Sequence, residues 1–179
     1  MDEIIIVESD PHWQTQFVEE ATNVRKALGN ALTVAIEHIG STAIPGLAAK
    51  PIIDLLVGVH SLELAQNAIS ALEAIEYVYW AEDPRPGRMF FVKGMPPFGR
   101  QRTHHLHMVE LTSEFWEERL LFRNYLRSHP DQVQRYEVLK RCLANHFKSD
   151  REAYTQGKTE YVQSIVAKAR QSIDSYKFL

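Results

Sequence analysis

The sequence predicts an α/β fold in which a mixed β-sheet is backed by helices and followed by a helical C-terminal segment. Short apolar or alternating runs, typical of strands, are interspersed with longer runs of helical periodicity in the first part of the chain. After Ser113, only helical patterns follow. We therefore expect a core over residues 1–112 and a helical segment over residues 113–179, packed together as one unit beside a cleft.

The N-terminal part of the chain is predicted to contain a strand, a helix and two further strands. Residues 4–8 form a short apolar run, and the apolar positions in residues 13–28 recur every three or four residues, as on one helix face. Residues 33–39 alternate and are rich in β-branched side chains. Residues 51–59 are almost continuously apolar, which is typical of a strand covered on both faces.

The remaining elements are predicted to be a helix, three strands and the C-terminal helices. Ser61 is a suitable N-cap for a helix that ends near residue 74. Strands are expected at residues 77–81, 89–93 and 104–111. Helices are expected at residues 114–127 and 132–147, and a last one begins near residue 151 or 159 and ends near residue 172.

Composition and charge exclude several classes of protein. A net charge of −3 and a pI near 6.2 argue against general attachment to nucleic acid, so no specific nucleic-acid partner is expected. The single cysteine, Cys142, cannot form an intramolecular disulfide, which favours a reducing compartment. The chain starts acidic where a secretory signal is basic, and its apolar runs are too short to cross a membrane. We expect a cytoplasmic protein with no membrane partner, and the sequence indicates no particular oligomeric state.

Asp54 is the most informative single residue, because it interrupts an apolar strand. A buried, ionised carboxylate costs several kcal/mol unless it is paired. Its partner is expected to be a metal ion, a basic side chain such as Lys50, or backbone amides. A position in the carboxyl half of a central strand would place it at a ligand cleft, whereas a pair with Lys50 would make it a structural salt bridge.

The loop before this strand has features of a phosphate-binding turn. Gly40 follows a predicted strand and allows backbone amides to approach an anion closely, and Ser41 and Thr42 add hydroxyl donors. Lys50 supplies a positive charge at the end of the same loop. The alternative is a tight turn without a ligand.

Residues 36–54, with the sequence IEHIGSTAIPGLAAKPIID, resemble the signature of the GrpB family, whose proteins have a nucleotidyltransferase-like fold. Further pieces that resemble the family are residues 105–107, 122–130, 136–140 and 154–158. Through the wider nucleotidyltransferase superfamily, the resemblance implies a strand ending in Gly-Ser, followed by a strand whose two acids, one residue apart, hold magnesium for attack on a nucleotide phosphate. Asp54 matches the first acid, but the second position is Leu56.

The same resemblance implies roles for three basic residues in the helical segment. Arg123, Lys140 and Lys158 occupy family-matching positions, where they could point into the cleft and bind phosphate. The alternative for each is an ordinary surface charge on a helix. Asn124 stands where the family pattern has aspartate. Family members fused to dephospho-CoA kinase imply a link to coenzyme A metabolism.

Strand alternation indicates which residues accompany Asp54. If Ile53 and Leu55 are buried under helices, Asp54 faces the opposite side of the sheet. The same argument turns Glu37, His105 and His107 to that side. Two carboxylates and two imidazoles could hold magnesium, manganese or zinc, and the imidazoles favour the latter two ions. The alternative is that the histidines make hydrogen bonds without a metal.

A strip between residues 84 and 107 carries five basic residues and no acidic one. It could steer a phosphate-bearing ligand toward the cleft. Arg100 and Arg102, next to the histidine strand, are the favoured ligand contacts within this strip. Tyr136, on one face of a predicted helix, is expected to be a core residue.

Three functions remain open from the sequence. The first is a metal-dependent nucleotidyltransferase that acts on a nucleotide and a small-molecule acceptor, with Asp54 and Glu37 as catalytic residues. The second is a noncatalytic module that binds a nucleotide or a phosphorylated small molecule, which the missing acid at Leu56 favours. The third is a metal-dependent hydrolase, which shares the ligands His105 and His107.

Overall fold

A computed structural model of the chain describes residues 3–29 and 32–176. The α-helices are α1 (His12–Leu28), α2 (Leu62–Ala65), α3 (Ala68–Glu73), α4 (Glu114–Ser128), α5 (Pro130–Phe147), α6 (Arg151–Gln156) and α7 (Thr159–Tyr176). The strands are β1 (Ala35–Ile39), β2 (Ile53–Val59), β3 (Tyr77–Tyr79), β4 (Met89–Lys93) and β5 (His104–Glu110). This order confirms the predicted α/β fold. Within the described ranges, no helix combines the length and the apolar character needed to traverse a bilayer.

The five strands form one mixed sheet in the order β1-β2-β5-β4-β3. The central strands β2 and β5 are parallel, and the other neighbours are antiparallel. Because β1 runs antiparallel to β2, the end of β1 meets the start of β2, where Ile39 pairs with Asp54. Asp54 is therefore near the amino end of β2. The expectation that it lies in the carboxyl half is wrong, since the preceding loop continues to Ile52.

One face of the sheet forms the main hydrophobic core under α1, α2 and α3. Leu55 and Leu106 on this face are fully buried and belong to the same cluster as Trp13 and Val24 of α1. His38 also points to this side, where its ring stacks on Phe17 with centroids 4.6 Å apart. The alternation of apolar side chains in the strands thus identified the helix-covered face correctly.

The opposite face is partly covered by the C-terminal helices. Ile39, Leu56 and Val109 pack there against Phe115 and other residues of α4. A second cluster joins α4, α5 and α7 to Ile44 and Leu47 of the loop after β1. The helical segment therefore packs directly on the strand-containing part of the chain.

Three predicted elements differ from the observed ones. Residues 4–8 make only the single bridge Val7–Ala49 and do not join the sheet. Ile4 in this segment packs instead against Tyr154 and Ala144. The helix predicted to follow Ser61 is divided into α2 and α3, and the last predicted helix is divided into α6 and α7. These divisions show that apolar periodicity alone did not locate breaks in a helix.

Candidate functional site

Asp54, His105 and His107 lie together on the sheet face opposite α1; we call them the triad. In the β2–β5 register, Asp54 pairs with His105 and Leu56 pairs with His107. Because alternate residues of a strand share a face, both imidazoles lie beside the Asp54 carboxylate. Its Oδ1 is 3.0 Å from Nδ1 of His105 and 3.6 Å from Nε2 of His107. The structure brings together three of the four residues whose convergence the alternation predicted.

The triad consists of a carboxylate between two neutral imidazoles. Burial opposes ionisation of Asp54, but the contacts from His105 and His107 outweigh it and hold the pKa of this carboxyl well below its usual range. Burial lowers the pKa of His107 to about 4 and also lowers the pKa of His105, in both cases against the attraction of Asp54. His105 uses Nδ1 toward Asp54, and its buried Nε2 has no hydrogen-bond partner within the described ranges.

Gly40 is required at the turn because the Asp54 carboxylate lies directly against it. A Cβ atom at Gly40 would be 2.2 Å from Oδ2 of Asp54. The backbone φ of Gly40 is +71°, in the region that favours glycine. The glycine of the predicted phosphate-binding turn therefore makes room for the carboxylate of the next strand.

Glu37, the fourth predicted member, does not join the triad. It pairs with Leu56 in the register, two residues further along the same face. Its carboxylate instead accepts a hydrogen bond from Nη1 of Arg123 at 2.7 Å. Arg123 also donates to the carbonyl of His38 and, through Nε, to Oδ1 of Asn124, at 2.9 Å each. The Glu37–Arg123 ion pair thus joins α4 to β1. Glu37 was predicted as a metal ligand and Arg123 as a phosphate ligand, but each is used in this contact.

The second acid position of the wider nucleotidyltransferase pattern is occupied by a packed leucine. Leu56 is fully buried between Ile39 and Val109 and contributes to the cluster under α4. A carboxylate at this position would lie in an apolar environment. Asp54 is consequently the single carboxylate in the group of described residues whose spacing could hold a cation.

Lys50, Lys140 and Lys158 form a cationic cluster around two buried tyrosines. Lys50 and Lys158 lie over the ring of Tyr154, with their Nζ atoms 5.0 and 4.2 Å from its centroid. Lys140 is 5.0 Å from the ring centroid of Tyr136, and its Nζ donates to the carbonyl of Ala48. The three lysines come from the loop before β2, from α5 and from the junction of α6 and α7.

The cationic cluster is strongly desolvated and faces the triad. Burial lowers the pKa of Lys140 and Lys158 to about 7 and that of Lys50 to about 8. Repulsion from Lys50 lowers the pKa of Lys140 and Lys158 further. Neighbouring arginines lower that of Lys50, whereas Asp54 raises the pKa of Lys50 and Lys158. Arg119 of α4 adds to the repulsion on Lys158. The arrangement concentrates positive charge on the side of the sheet that carries Asp54.

The two hydroxyl residues after Gly40 have different environments. Thr42 is buried, and its Oγ1 lies 3.0 Å from Nε2 of His38 and donates to the carbonyl of Ile52. Its hydroxyl is therefore used inside the protein, which differs from the predicted phosphate contact. Ser41 is half-buried and forms a hydrogen bond with the Tyr136 hydroxyl. Burial raises the pKa of Tyr136 to about 12, and the hydrogen bond from Ser41 acts in the opposite direction. Ser41 thus lies beside the cationic cluster.

The basic strip before β5 contributes a residue that the sequence did not single out as a ligand contact. Arg100 is exposed, and Arg102 lies over the ring of Trp80, 5.3 Å from its centroid. Arg88 instead reaches the triad, where Nη1 lies 2.8 Å from Nδ1 of His107. Its position next to β4, the neighbour of the histidine strand, was the signal that could have identified it. Two further residues of the site, Tyr136 and Tyr154, begin segments that resemble the family, but nothing in the sequence distinguished them from core residues.

The triad has the donor types and spacing of a site for one divalent cation. Donor atoms around a tetrahedral ion are roughly 3.4 Å apart when the bonds are about 2.1 Å long. The separations of 3.0 and 3.6 Å from Oδ1 of Asp54 to the two imidazoles are close to this value. One carboxylate with one or two of these imidazoles would leave positions for ligand oxygens. The residues present therefore fit a single cation, in contrast to the pair of acids implied by the wider fold.

Comparison with known sequences then identifies the family. The profile of the GrpB protein family matches residues 3–168. The chain belongs to the GrpB family. A UPF0157 protein of Pseudomonas aeruginosa is 47% identical to this GrpB protein over 169 residues, which are 94% of this chain and 68% of that protein. A dephospho-CoA kinase of Mycolicibacterium paratuberculosis is 27% identical over 191 residues, which cover 95% of this chain and 47% of the kinase.

Solved structures support the same family and define the fold. The crystal structure of the conserved protein GrpB from Enterococcus faecalis matches with a TM-score of 0.83 and 35% identity, covering 94% of this chain and 99% of that one. The Cid1 poly(U) polymerase, solved with Mg and 3'-dATP bound, matches with a TM-score of 0.52 and 13% identity over 79% of this chain and 43% of that one. The second likeness shows the fold alone. It confirms that this GrpB protein has a nucleotidyltransferase-like fold.

Proposed function

We propose that this protein binds a nucleotide on the sheet face that carries Asp54 and transfers its nucleotidyl group to a small-molecule acceptor with the aid of a divalent cation. The observation that carries the proposal is the position of the cationic cluster next to the triad. Lys50 and Lys158 lie close enough to Asp54 for its charge to raise their pKa. A phosphate chain would lie between positive side chains and a cation site.

The charge balance of the site favours an anionic ligand. Lys158 forms no ion pair with a carboxylate in the part of the chain that the structure describes, and its nearest ring is Tyr154. Lysines held in this way are destabilised in their charged form. A phosphate group would supply the missing negative charge and form charge-assisted hydrogen bonds with them.

The protein's own residues would position the ligand rather than react with it. Lys50 and Lys158 would bind phosphate oxygens, and Ser41 offers a hydroxyl at the turn. Asp54 and an adjacent imidazole would hold the cation, which when bound polarises a phosphoryl oxygen and stabilises the charge of the transition state. Gly40 leaves the space that the Asp54 carboxylate occupies, because any side chain at this position would overlap it.

A noncatalytic binding module is the second candidate, and Leu56 favours it. Two-metal phosphoryl transfer needs several anionic ligands, and this site has one. The match to a dephospho-CoA kinase supports a role for such a module in coenzyme A metabolism. A metal-dependent hydrolase is the third candidate, favoured by the two imidazoles beside Asp54; in that reaction water replaces the acceptor.

A single incubation separates the three candidates. The purified protein is mixed with Mg²⁺ or Mn²⁺, each of the four nucleoside triphosphates and a pool of small acceptors. Release of pyrophosphate with label on an acceptor supports nucleotidyl transfer, whereas nucleoside monophosphate or free phosphate without labelled acceptor supports hydrolysis. Saturable binding without turnover supports the module. The absence of nucleotide binding would refute the whole proposal.

Two variants connect the result to the site. Asp54→Asn should abolish turnover, because it removes the anionic ligand of the cation; full turnover in this variant would exclude Asp54 from catalysis. Lys158→Met should weaken nucleotide binding by about tenfold or more, since hydrogen bonds to charged groups contribute about 1.5–3 kcal/mol. Lys168→Met is the matched control, because Lys168 is exposed on α7. Equal affinities of the two lysine variants would contradict the assignment of the cationic cluster.

A further inference from the structure

Arg88 is buried beside the triad and is held there from three directions. It is 9% exposed. Its Nε and Nη2 donate to Oδ2 of Asp83 at 2.7 and 2.5 Å. Its guanidinium lies over the rings of Phe90 and Phe115, 4.7 and 5.4 Å from their centroids. These contacts direct the remaining nitrogen, Nη1, at Nδ1 of His107, 2.8 Å away.

The Arg88–His107 contact fixes the tautomer of the imidazole. Arginine has five N–H donors, no acceptor, and keeps its charge in proteins. Nδ1 of His107 must therefore be the acceptor, and the ring proton of the neutral imidazole is on Nε2. That nitrogen faces Oδ1 of Asp54 at 3.6 Å. His107 is accordingly directed to Asp54 with an N–H group and not with a lone pair.

This tautomer conflicts with metal ligation by His107. An imidazole that binds a cation through Nε2 needs its proton on Nδ1, and such ligands usually donate that N–H to a carboxylate or a carbonyl. At His107 the corresponding position is taken by an arginine donor. His107 could bind a cation only if the Arg88 side chain left its position between two rings and Asp83.

We infer that Arg88 is a positioning residue that keeps His107 out of the coordination sphere of the cation and so sets the metal preference of the site. The inference rests on the proposed function for the presence of a cation, but the tautomer does not depend on it. The protein donors that remain are Asp54 and at most His105. The other positions are left to water and phosphate oxygens, which suit Mg²⁺, whereas Zn²⁺ prefers imidazole nitrogen.

The tautomer is measured first, on metal-free wild-type protein. Histidine side chains labelled with ¹⁵N report in two-bond ¹H–¹⁵N correlation spectra which ring nitrogen carries the proton, and His107→Gln assigns the signals. The expected result is a proton on Nε2 of His107. A proton on Nδ1 would overturn the inference, whatever the protein does with nucleotides.

Metal binding is measured next, with Zn²⁺ and Mg²⁺ alone as probes in calorimetric titrations. The test variant combines Arg88→Met with Asp83→Asn, so that no buried carboxylate loses its partner. Asp83→Asn alone is the matched control, because it keeps Arg88. We expect the double variant to bind Zn²⁺ about tenfold more tightly than the control, and to bind Mg²⁺ with unchanged affinity. Changes of this size are typical when a group that hydrogen-bonds to a metal ligand is replaced.

A purely structural role for Arg88 predicts other results. It would change the free energy of unfolding but leave the His107 tautomer and the ratio of zinc to magnesium affinity as in the control. Equal zinc affinity of the double variant and the control would therefore overturn the inference. Adding Asp54→Asn to the double variant should remove the gain in zinc affinity, and a gain that persists would place the zinc elsewhere and also overturn it. Failure of nucleotide binding with the predicted tautomer and metal ratio would refute the proposed function alone.

Discussion

Two half-buried lysines with similar aromatic neighbours differ in their ion pairing. Lys93 on the helix-covered side and Lys158 near the triad each lie over a tyrosine ring, at 5.5 and 4.2 Å from the centroid. Lys93 also donates to both carboxylate oxygens of Glu20, at 3.0 and 3.2 Å. Lys158 has no such ion pair within the described residues, and two other lysines repel it. The first lysine is part of a balanced ion pair, whereas the charge of the second is not balanced by a carboxylate among the described residues.

The largest expected effect is the loss of stability in Lys93→Met. This change leaves the carboxylate of Glu20, which is 5% exposed, without its partner. Breaking such a pair costs about 3–5 kcal/mol in the free energy of unfolding. Lys158→Met should leave this free energy unchanged or raise it, because it removes an unpaired, desolvated charge. Urea denaturation of both variants checks the contrast, and equal losses of stability would remove the distinction between the two lysines.

A smaller effect is expected from replacing Gly40, which lies directly against the carboxylate of Asp54. Gly40→Ala and Gly46→Ala both place a Cβ at a φ above +70°, and each should cost about 1 kcal/mol or more of backbone strain. A Cβ at Gly46 meets no atom within 4 Å, whereas one at Gly40 would overlap the carboxylate of Asp54. We expect Gly40→Ala to lose about 1–3 kcal/mol more than Gly46→Ala in urea denaturation.

The same pair of variants also tests the site. Gly40→Ala should abolish cation binding, because the Asp54 carboxylate must move, and Gly46→Ala should retain it. Calorimetric titration with Mn²⁺ measures both. Cation binding by Gly40→Ala at wild-type affinity would show that the turn does not position Asp54.

The smallest expected effect is a dependence of ligand affinity on pH. Because Lys140 and Lys158 have a pKa of about 7 and Lys50 one of about 8, the cationic cluster loses protons as the pH rises through this range. Nucleotide affinity should therefore fall severalfold between about pH 6 and about pH 9, with proton uptake on binding. Calorimetry in buffers of different ionisation enthalpy measures the uptake.

In the absence of ligand, the free energy of unfolding should rise with pH, whereas the nucleotide affinity falls. Lysines of the unfolded chain keep their protons up to about pH 10, whereas the folded cluster loses them near neutral pH. The unfolded state then binds more protons, so this contribution makes the protein more stable as the pH rises above about 7. Lys158→Met should reduce the pH dependence of both the nucleotide affinity and the free energy of unfolding, and Lys168→Met should reduce neither. Slopes unchanged in Lys158→Met would contradict the assigned pKa values.

Much of the fold was predictable because its signals are local. The alternation around Leu55 and Leu106 identified the buried face, and all five strands of the sheet lie within segments that the sequence predicts to be strands. The segment around Val7 was the exception, since it has the composition of a strand but lies beside the loop at Ala49 and outside the sheet. The composition of a segment determines its tendency to form a β-strand, but a neighbouring strand must be available for backbone pairing to extend beyond a single bridge.

The candidate site was predictable in part for the same reason. Asp54, His105 and His107 share a face because the side chains of a strand alternate, and neighbouring strands in register then bring them together. Glu37 satisfies the same alternation, but it is displaced by two residues along the strand and is engaged by Arg123. Alternation determines the face of a side chain and carries no information about its distance from another strand's residues.

The sequence by itself determined the class of fold, the family and the face of the sheet on which Asp54 lies, because each depends on the order and spacing of residues along the chain. Tertiary structure alone decided that Arg88 reaches His107 and that Lys158 lies near Asp54 without an ion pair to any described residue. These relations join elements far apart in the chain. Their energies depend on burial and on distances of a few ångströms, which are set only when the helices pack on the sheet.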